Sequence, residues 1–209
     1  EIEACGIPWN FAPVLDVGRD PRWPRFWETF GEDVMLVGDM GEAMVRGFQE
    51  GPVKGAATLK HYMGYSTPWS GKDRTPAYLP ERQLREIFLP PFKQSIDAGA
   101  MSVMVNSGEM NGIPTHVNRF VLTDILRGEL GFEGLVVTDW AGIDAIPGDY
   151  KSDVITSINA GIDLVMVPGS LFGNNHYKTF IQFLKEGVEE GSVPMSRIDD
   201  AVRRILSVK

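Results

Sequence analysis

The sequence predicts an α/β protein in which a parallel β-sheet is covered by helices. Short apolar runs alternate with amphipathic helical segments along most of the 209 residues, which is the order of repeated βα units. The clearest run, residues 135–138, reads Leu-Val-Val-Thr without polar alternation, as expected for a strand buried on both faces. The pattern alone fits both a barrel and a doubly wound open sheet.

The predicted strands are short, and most end in a polar or glycine- and proline-rich loop. They span residues 7–11, 56–60, 101–106, 135–138 and 163–167. A (β/α)8 TIM-type barrel needs eight strands, so a barrel with about five βα units would have its opening strands upstream of residue 1. The predicted fold class is therefore α/β, either an open sheet or a partial (β/α)8 barrel with the opening strands missing.

Helical periodicity fills the segments between these strands. Apolar side chains at spacings of three and four predict helices over residues 34–48, 122–130, 152–161 and 196–206. A further stripe at 84–88 is expected to end at Pro90-Pro91, because proline lacks the amide hydrogen that a helix interior needs. The longest irregular stretch, residues 63–79, follows a strand, so on a barrel it would be a loop of the catalytic face.

Composition argues against several functional classes. The formal net charge is −8, which makes nucleic acid and anionic membranes poor partners. Cys5 is the sole cysteine, so no internal disulfide can form. The glycines form no phosphate-binding motif, and histidine and cysteine do not occur at metal-binding spacing. No cofactor and no metal are expected.

Asp139 is the strongest candidate for chemistry. It lies directly after the 135–138 run, at the strand end where βα barrels keep their catalytic groups. A carboxylate at that place can attack or stabilise an anomeric carbon, and the indole of the adjacent Trp140 can stack on a sugar ring. The pair therefore points to a glycoside as substrate.

Other polar residues near strand ends have competing interpretations. Lys60 and His61 could bind adjacent sugar hydroxyls, Lys60 could form a Schiff base, or Lys60 could be paired with a carboxylate for structural reasons. Glu109 could be a partner carboxylate to Asp139, but a Glu in a loop is more often a bracing or solvent-facing residue. His116 and His176 are expected to be surface or capping residues.

The charged stretch 16–25 is expected to pair largely with itself. It contains three arginines and two aspartates. One arginine could still face a ligand as a planar fork. Composition does not identify that arginine.

Four stretches resemble glycoside hydrolase family 3, in its multidomain β-glucosidase-like branch. They are "FAPVLDVGRDPRWPRFWETFGED", "LKHYMGYS", "SVMVNSGEMNGIPTHVN" and "GLVVTDWAGI", in the family's order and at its usual spacing. The tail "RIDDAVRRILSVK" resembles the segment that closes the family's first domain. The resemblance implies that residues 1–209 are the C-terminal larger part of that catalytic barrel domain.

The resemblance implies a role for several side chains. By the family's motifs, Asp139 is the nucleophile of a retaining mechanism, and the substrate-binding residues are Arg25, Lys60, His61, Met104 and Trp140. The general acid/base of this branch is a Glu in a second domain, which would follow Lys209. An upstream Asp that binds outer hydroxyls would precede residue 1.

The sequence departs from the family pattern at three positions. Pro24 stands where the Arg25 motif usually has glycine. Ser107 stands where some relatives have a tyrosine that binds the nucleophile, so Ser107 is a possible site residue together with Glu109. Tyr65 stands where the single-domain N-acetylglucosaminidase branch has a second histidine, which disfavours that branch.

The predicted function is hydrolysis of terminal non-reducing β-D-glucosyl units by a retaining, exo-acting enzyme. The partners expected are a β-glucoside or β-linked oligosaccharide and a further domain of the same protein. The same mechanism on β-xylosides or other β-glycosides, a Schiff-base aldolase using Lys60, and a non-catalytic sugar-binding fragment remain alternatives. The family resemblance favours a periplasmic or secreted location.

Overall fold

The centre of the molecule is a parallel sheet of three short strands. The structure, a computed structural model, describes residues 3–51, 55–168 and 177–209. The strands β1 (Thr58–Tyr62), β2 (Ser102–Val105) and β5 (Leu135–Val137) pair in the order β1-β2-β5. Their side chains are almost all buried, which explains why the runs of β2 and β5 show no regular polar alternation.

The sheet continues in chain order beyond both of these edges. Parallel bridges join Trp9 to Ala56 and Val14 to Lys60 on one side, and Val137 to Leu164 on the other. Five consecutive segments therefore pair in parallel, with the helical connections between them, and the prediction of an α/β fold in the form of a partial barrel is confirmed.

The prediction of regular strands is wrong for two of the five segments. Segments 7–11 and 163–167 form only isolated bridges. Each has a neighbour on one side only in the described sheet, so apolar composition alone does not sustain a ladder there. Within β1 the register against β2 shifts between Leu59 and Tyr62, and the Lys60-His61 and Tyr62-Met63 peptide bonds are cis.

The first long helix, α1 (Val34–Gln49), lies where the apolar spacing predicted it and begins at a side-chain cap. The carboxylate of Asp33 accepts a hydrogen bond of 2.8 Å from the backbone N–H of Leu36, which satisfies one of the unpaired amides at a helix start. The helix packs against α3 (Leu89–Asp97). The helix α3 in turn contacts β1.

The prediction that prolines end the helix at residue 90 is wrong. A helical run comprises α2 (Glu81–Gln83), a π-helical turn (Leu84–Phe88) and α3 (Leu89–Asp97). Pro90 and Pro91 lie in the first turn of α3. Proline is tolerated in a first turn because its missing N–H would have no partner there.

The remaining elements complete the helical layer. A small hairpin, β3 (Glu109–Met110) and β4 (Ile113–Pro114), leads to a 3-10 turn (Thr115–Val117) and a π-helical segment (Phe120–Glu129). The chain then forms α4 (Tyr150–Ala160), α5 (Tyr177–Glu189) and α6 (Met195–Val208). The sequence pattern did not identify α5. As predicted, α4 ends at Gly161, whose φ of 118° favours glycine.

A buried ion cluster ties α6 and the π-helical segment to the sheet. Asp163 accepts hydrogen bonds of 2.8 Å from the guanidinium of Arg127 and from the backbone N–H of Val136. The guanidinium of Arg197, on α6, donates to its other oxygen. Burial raises the pKa of the Asp163 carboxyl although both arginines oppose that effect.

Three general features concern the described residues only. No group of three or more His, Cys, Asp or Glu side chains among them is arranged to hold a metal ion. Within the same ranges, every helix is too short or too polar to cross a membrane. Cys5 is exposed and unpaired.

Candidate active site

Asp139 lies two residues after β5, at the carboxyl edge of the sheet, and is held from several sides. The hydroxyl of Ser107 donates a hydrogen bond of 2.5 Å to its Oδ2, and the backbone N–H of Trp140 donates one of 2.5 Å to its Oδ1. The guanidinium of Arg74 lies 3.9 Å from Oδ1. Because parallel strands end at one edge, β2 and β5 bring Ser107 and Asp139 together.

The environment keeps the Asp139 carboxyl ionised. The residue is 7% exposed, and burial by itself disfavours the charged form. His61, the hydrogen bonds from Ser107 and Trp140, and the charge of Arg74 more than offset burial, so the pKa of Asp139 lies below its usual value. A carboxylate that is both buried and ionised is suited to act as a nucleophile or to stabilise a developing positive charge.

The main chain at Asp139 enters a tight turn. The N–H of Gly142 donates to the carbonyl of Asp139 over 3.1 Å, and Ala141 has a φ of 57°. Non-glycine residues rarely adopt a positive φ, and such positions are often functional. The turn directs the Asp139 side chain to Ser107 on the neighbouring strand end.

The expectation that His116 is a surface or capping residue is wrong. His116 is 2% exposed, and its Nε2 accepts a hydrogen bond of 3.2 Å from the backbone N–H of Asp139. Burial lowers the pKa of its imidazole to about 4. The sequence carries no local signal for this contact, because the two residues are 23 positions apart. His176 lies outside the described residues.

Arg74 is a second residue that the sequence analysis missed. Its Nη1 donates a hydrogen bond of 3.1 Å to the carbonyl of Trp140, and Nη2 lies near Asp139. Arg74 itself has a φ of 57°. It lies in the 63–79 loop that was predicted to serve the catalytic face, but that loop contains several polar residues and its composition did not single out the arginine.

Arg25 is fixed by a carboxylate and by the candidate site's histidine. Its guanidinium makes a bidentate ion pair with Glu28 at 2.7 and 2.9 Å, and Nη2 donates to Nε2 of His61 over 3.1 Å. Burial opposes the guanidinium's charge, but the bond to Glu28 outweighs burial and the pKa of Arg25 is raised. The Arg25 guanidinium is therefore oriented by Glu28, which lies outside the 16–25 stretch.

His61 is anchored from its other ring nitrogen. Its Nδ1 lies 2.8 Å from Oδ2 of Asp16, and both side chains are buried. The backbone N–H of His61 donates to the same oxygen over 3.2 Å. Asp16 was expected only to brace its own stretch, but it instead orients the ring of a predicted binding residue.

Lys60 differs from its neighbours because it has a free ammonium. Within the described parts of the chain, no carboxylate lies within 4.0 Å of its Nζ, so the structural pairing considered above is not found. Burial, and then the charge of Arg25, lower the pKa of Lys60. The charge of Asp139 acts in the opposite sense.

The other predicted residues differ in exposure. Met104 is 3% exposed in β2, and Trp140 is 46% exposed beside the carboxylate. Glu109 is half-buried in β3 and lines a cavity of about 210 Å³ together with Arg74, Ser107 and His116. Glu109 is thus near the candidate site, but its side chain makes no hydrogen bond to Asp139 among the described contacts.

A comparison with protein families decides the assignment. The sequence model described as Glycosyl hydrolase family 3 N terminal domain matches residues 1–208. The chain belongs to glycosyl hydrolase family 3. The resemblance noted from the four sequence stretches is thereby confirmed.

Curated relatives in family 3 cover nearly the whole chain. A lysosomal beta glucosidase from Dictyostelium discoideum is 48% identical over 99% of this chain and 26% of its own length. A periplasmic beta-glucosidase from Salmonella typhimurium is 33% identical over 98% of this chain and 27% of its own length. A beta-xylosidase from Formosa agariphila is 36% identical over 100% of this chain and 31% of its own length.

Solved family 3 structures share the fold. The crystal structure of a beta-glucosidase from Listeria innocua superposes with a TM-score of 0.91 at 33% identity, covering 100% of this chain and 29% of that one. An exo-1,3/1,4-beta-glucanase from a Pseudoalteromonas species gives a TM-score of 0.89 at 36% identity, covering 98% and 26% of the two chains. The chain therefore spans between a quarter and a third of these relatives.

Proposed function

We propose that this chain carries the nucleophile of a retaining, exo-acting β-glucosidase, and that Asp139 is that nucleophile. The observation that supports the proposal is the buried, ionised carboxylate of Asp139 at a strand end, held by Ser107 and Trp140. Retaining glycosidases need such a carboxylate on one side of the anomeric carbon. Membership of family 3 supports the same chemistry.

The proposed reaction has two steps. In the first, a carboxylate oxygen of Asp139 attacks the anomeric carbon while a general acid/base gives its proton to the glycosidic oxygen, which leaves as an alcohol. In the second, water gives up a proton to the same acid/base and displaces Asp139, which releases a terminal glucose with retained configuration. No cofactor takes part in either step.

Arg25, Lys60 and His61 are proposed to bind the sugar hydroxyls. Arg25 and His61 are hydrogen-bonded to each other, and both are oriented by buried or half-buried carboxylates. The ammonium of Lys60 has donors left for a ligand. Hydrogen bonds that tighten as the oxocarbenium-like state develops would lower the barrier rather than only the dissociation constant.

Trp140 and Met104 are proposed to shape the sugar pocket. Trp140 is partly exposed beside Asp139, so its indole has a face available for a sugar ring. Met104 is buried in the adjacent strand β2. Its flexible side chain can adapt to the ring that lies against it.

The general acid/base is proposed to be a Glu of a further domain of the same protein. Retention requires the two carboxyl groups to lie roughly 5–5.5 Å apart. The internal candidate named above, Glu109, lies in the β3–β4 hairpin. Its backbone carbonyl accepts a hydrogen bond from the N–H of Ala77. Expressing residues 1–209 alone and within the longest natural polypeptide that contains them tests this. Full activity from residues 1–209 alone would contradict the proposal, and Glu109→Gln would then be the next variant.

Covalent trapping tests the nucleophile directly. A 2-deoxy-2-fluoro-β-glucosyl fluoride should label the protein stoichiometrically, and peptide mass spectrometry should locate the adduct on Asp139. Asp139→Asn should not label and should lose several orders of magnitude of turnover, because the covalent intermediate cannot form. Labelling at another carboxylate, or near-normal turnover by Asp139→Asn, contradicts the assignment.

The substrate sugar has one specific rival. The Formosa agariphila relative named a beta-xylosidase is 36% identical to this chain, compared with 48% for the Dictyostelium beta glucosidase. Parallel assays with aryl β-glucoside and aryl β-xyloside distinguish the two by kcat/KM.

The Schiff-base alternative predicts instead that borohydride traps a carbonyl substrate on Lys60. The relatives named lysosomal and periplasmic favour a location outside the cytoplasm, which fractionation of the source cells tests.

A further inference from the structure

Both backbone polar groups of Asp139 are fixed within the fold. Its N–H donates to Nε2 of His116 over 3.2 Å, and its carbonyl accepts from the N–H of Gly142 over 3.1 Å. The carboxylate oxygens are held separately by Ser107 and Trp140. The orientation of this side chain thus depends on four hydrogen bonds. The one that the Asp139 N–H donates is accepted by His116, a side chain that no proposed step uses.

The hydrogen bond specifies the state of the His116 ring. A backbone N–H can only donate, so Nε2 must be the unprotonated nitrogen and the ring proton must lie on Nδ1. The ring is fully enclosed. Burial lowers the pKa of His116 to about 4, the charge of Asp139 acts against that shift, and the charge of Arg74 adds to it. The imidazole is therefore neutral near neutral pH.

Gly142 keeps the ring in place. A Cβ built on Gly142 would overlap Nε2 and Cε1 of the His116 imidazole. Real Cβ contacts do not come this close, so the turn that follows Asp139 packs directly on the ring. Any side chain at position 142 would push the ring away from the Asp139 N–H.

We propose that His116 is a positioning residue for the nucleophile. The unprotonated Nε2 of its neutral ring fixes the backbone N–H of Asp139 and thereby the orientation of the Asp139 carboxylate. The inference rests on the proposed function of Asp139. A ring carrying a proton on Nε2 would set a donor against a donor and leave the Asp139 N–H without an acceptor. The carboxylate would then be free to turn away from the anomeric carbon, which slows attack without weakening substrate binding.

Four variants of the longest natural polypeptide that contains this chain separate the acceptor from mere packing. His116→Gln keeps an acceptor at a similar reach, whereas His116→Leu removes it. Gly142→Ala displaces the ring without changing it. Gly47→Ala is the matched control, because a Cβ there meets nothing within 4 Å in α1.

The rate of covalent inactivation by the 2-fluoro-glucosyl reagent is the main measurement, since it isolates attack by Asp139. His116→Leu and Gly142→Ala should inactivate roughly ten- to hundred-fold more slowly, with an unchanged half-saturating reagent concentration. His116→Gln should recover most of the rate, and Gly47→Ala should equal the parent. An unslowed His116→Leu, or a Gln variant as slow as Leu, overturns the proposal.

Two structural measurements keep the proposal independent of activity. A neutron structure of the unaltered protein should show hydrogen on Nδ1 and none on Nε2 of His116. A crystal structure of His116→Leu should show the Asp139 carboxylate rotated away from Ser107. Hydrogen on Nε2, or an unmoved carboxylate, overturns the role of His116. Failure of the unaltered protein to label on Asp139, with both structural results as expected, would reject the proposed function alone.

Discussion

The hydroxyl of Ser107 and the carboxylate Oδ2 of Asp139 are 2.5 Å apart, across the carboxyl ends of two neighbouring strands. A neutral donor this close stabilises the ionised carboxylate relative to the acid. Ser107 follows β2 and Asp139 follows β5, so the pairing depends on the parallel register that sets Met104 opposite Val137. The register of β2 against β5 therefore helps to set the pKa of the Asp139 carboxyl.

Removing that hydroxyl should raise the pKa of Asp139. In Ser107→Ala we expect the acidic limb of the kcat/KM profile to move to higher pH, because the charged form loses a hydrogen bond. The loss of a bond to a charged group, worth about 1.5–3 kcal/mol, predicts roughly ten- to hundred-fold lower kcat/KM. Ser207→Ala is the control, since its hydroxyl donates only to a helix carbonyl on α6. An unmoved acidic limb would show that Ser107 does not tune the carboxylate.

Lys60→Met should lower activity without lowering stability. The ammonium is half-buried and has no carboxylate within 4.0 Å among the described residues, so its loss breaks no ion pair. We expect kcat/KM to fall roughly ten- to hundred-fold, because a charged hydrogen bond to a sugar hydroxyl is worth about 1.5–3 kcal/mol. Lys151→Met removes a lysine paired with Glu186 and Glu190 and serves as the control. Unchanged kcat/KM in Lys60→Met would reject the binding role.

Arg74→Met should affect the turn after Asp139 and the carboxylate's charge together. It removes a bond to the Trp140 carbonyl and the cation 3.9 Å from Asp139. Since a nearby cation favours the ionised carboxylate, the acidic limb of kcat should move to higher pH. Arg82→Met is the comparison, because the Arg82 side chain is 85% exposed. Equal pH profiles for the two variants would exclude an electrostatic role for Arg74.

His116 should make the fold sensitive to acid. Its folded pKa of about 4 lies below the value near 6.5 expected when unfolded, so the unfolded chain binds more protons between these pH values. The stabilisation is complete above about pH 6.5 and is lost as pH falls toward 4, with a total on the order of 3 kcal/mol. Tm measured from pH 7 to 4 should fall less steeply in His116→Gln than in the parent. Parallel curves would show that His116 does not titrate in this way.

Breaking the ion cluster at Asp163 should destabilise the protein. Asp163→Asn leaves Arg127 and Arg197 without their shared carboxylate, and removing one partner of a buried pair costs about 3–5 kcal/mol. Denaturant unfolding should show this loss. Asp97→Asn, whose pair with Lys93 is more than half exposed on both sides, should change the free energy of unfolding by no more than about 1 kcal/mol. Equal effects of the two variants would show that the ion cluster at Asp163 does not stabilise the fold.

The centre of the fold was predictable from sequence, and its margins were not. The apolar runs of β2 and β5 are buried on both faces, so composition identified them. The segments around Trp9 and Leu164 form single bridges, since their pairing depends on neighbours rather than on their own residues. Pro90 is helical because it falls in a first turn, a position that depends on where the preceding helical segment ends.

The candidate site divides in the same way. Asp139 was singled out by its place after an apolar strand, and Ser107 only by the family resemblance. The structure brings them together because they follow the neighbouring parallel strands β2 and β5. His116 and Arg74 reach Asp139 from a 3-10 turn and a long loop. Their contacts depend on main-chain turns with positive φ, which residue types alone do not specify.

The strand β5 is anchored at its middle residue by one carboxylate, and a second carboxylate lies beyond its carboxyl end. The Asp163 cluster engages the strand at Val136, while Asp139 lies just beyond its carboxyl end. An exhaustive substitution library should therefore give two phenotypes at carboxylates that serve the same strand: loss of soluble yield at Asp163, and normal yield with no turnover at Asp139. Because the anchor is separate, the loops that follow the strands could be exchanged between relatives to redirect sugar preference while the scaffold stays intact.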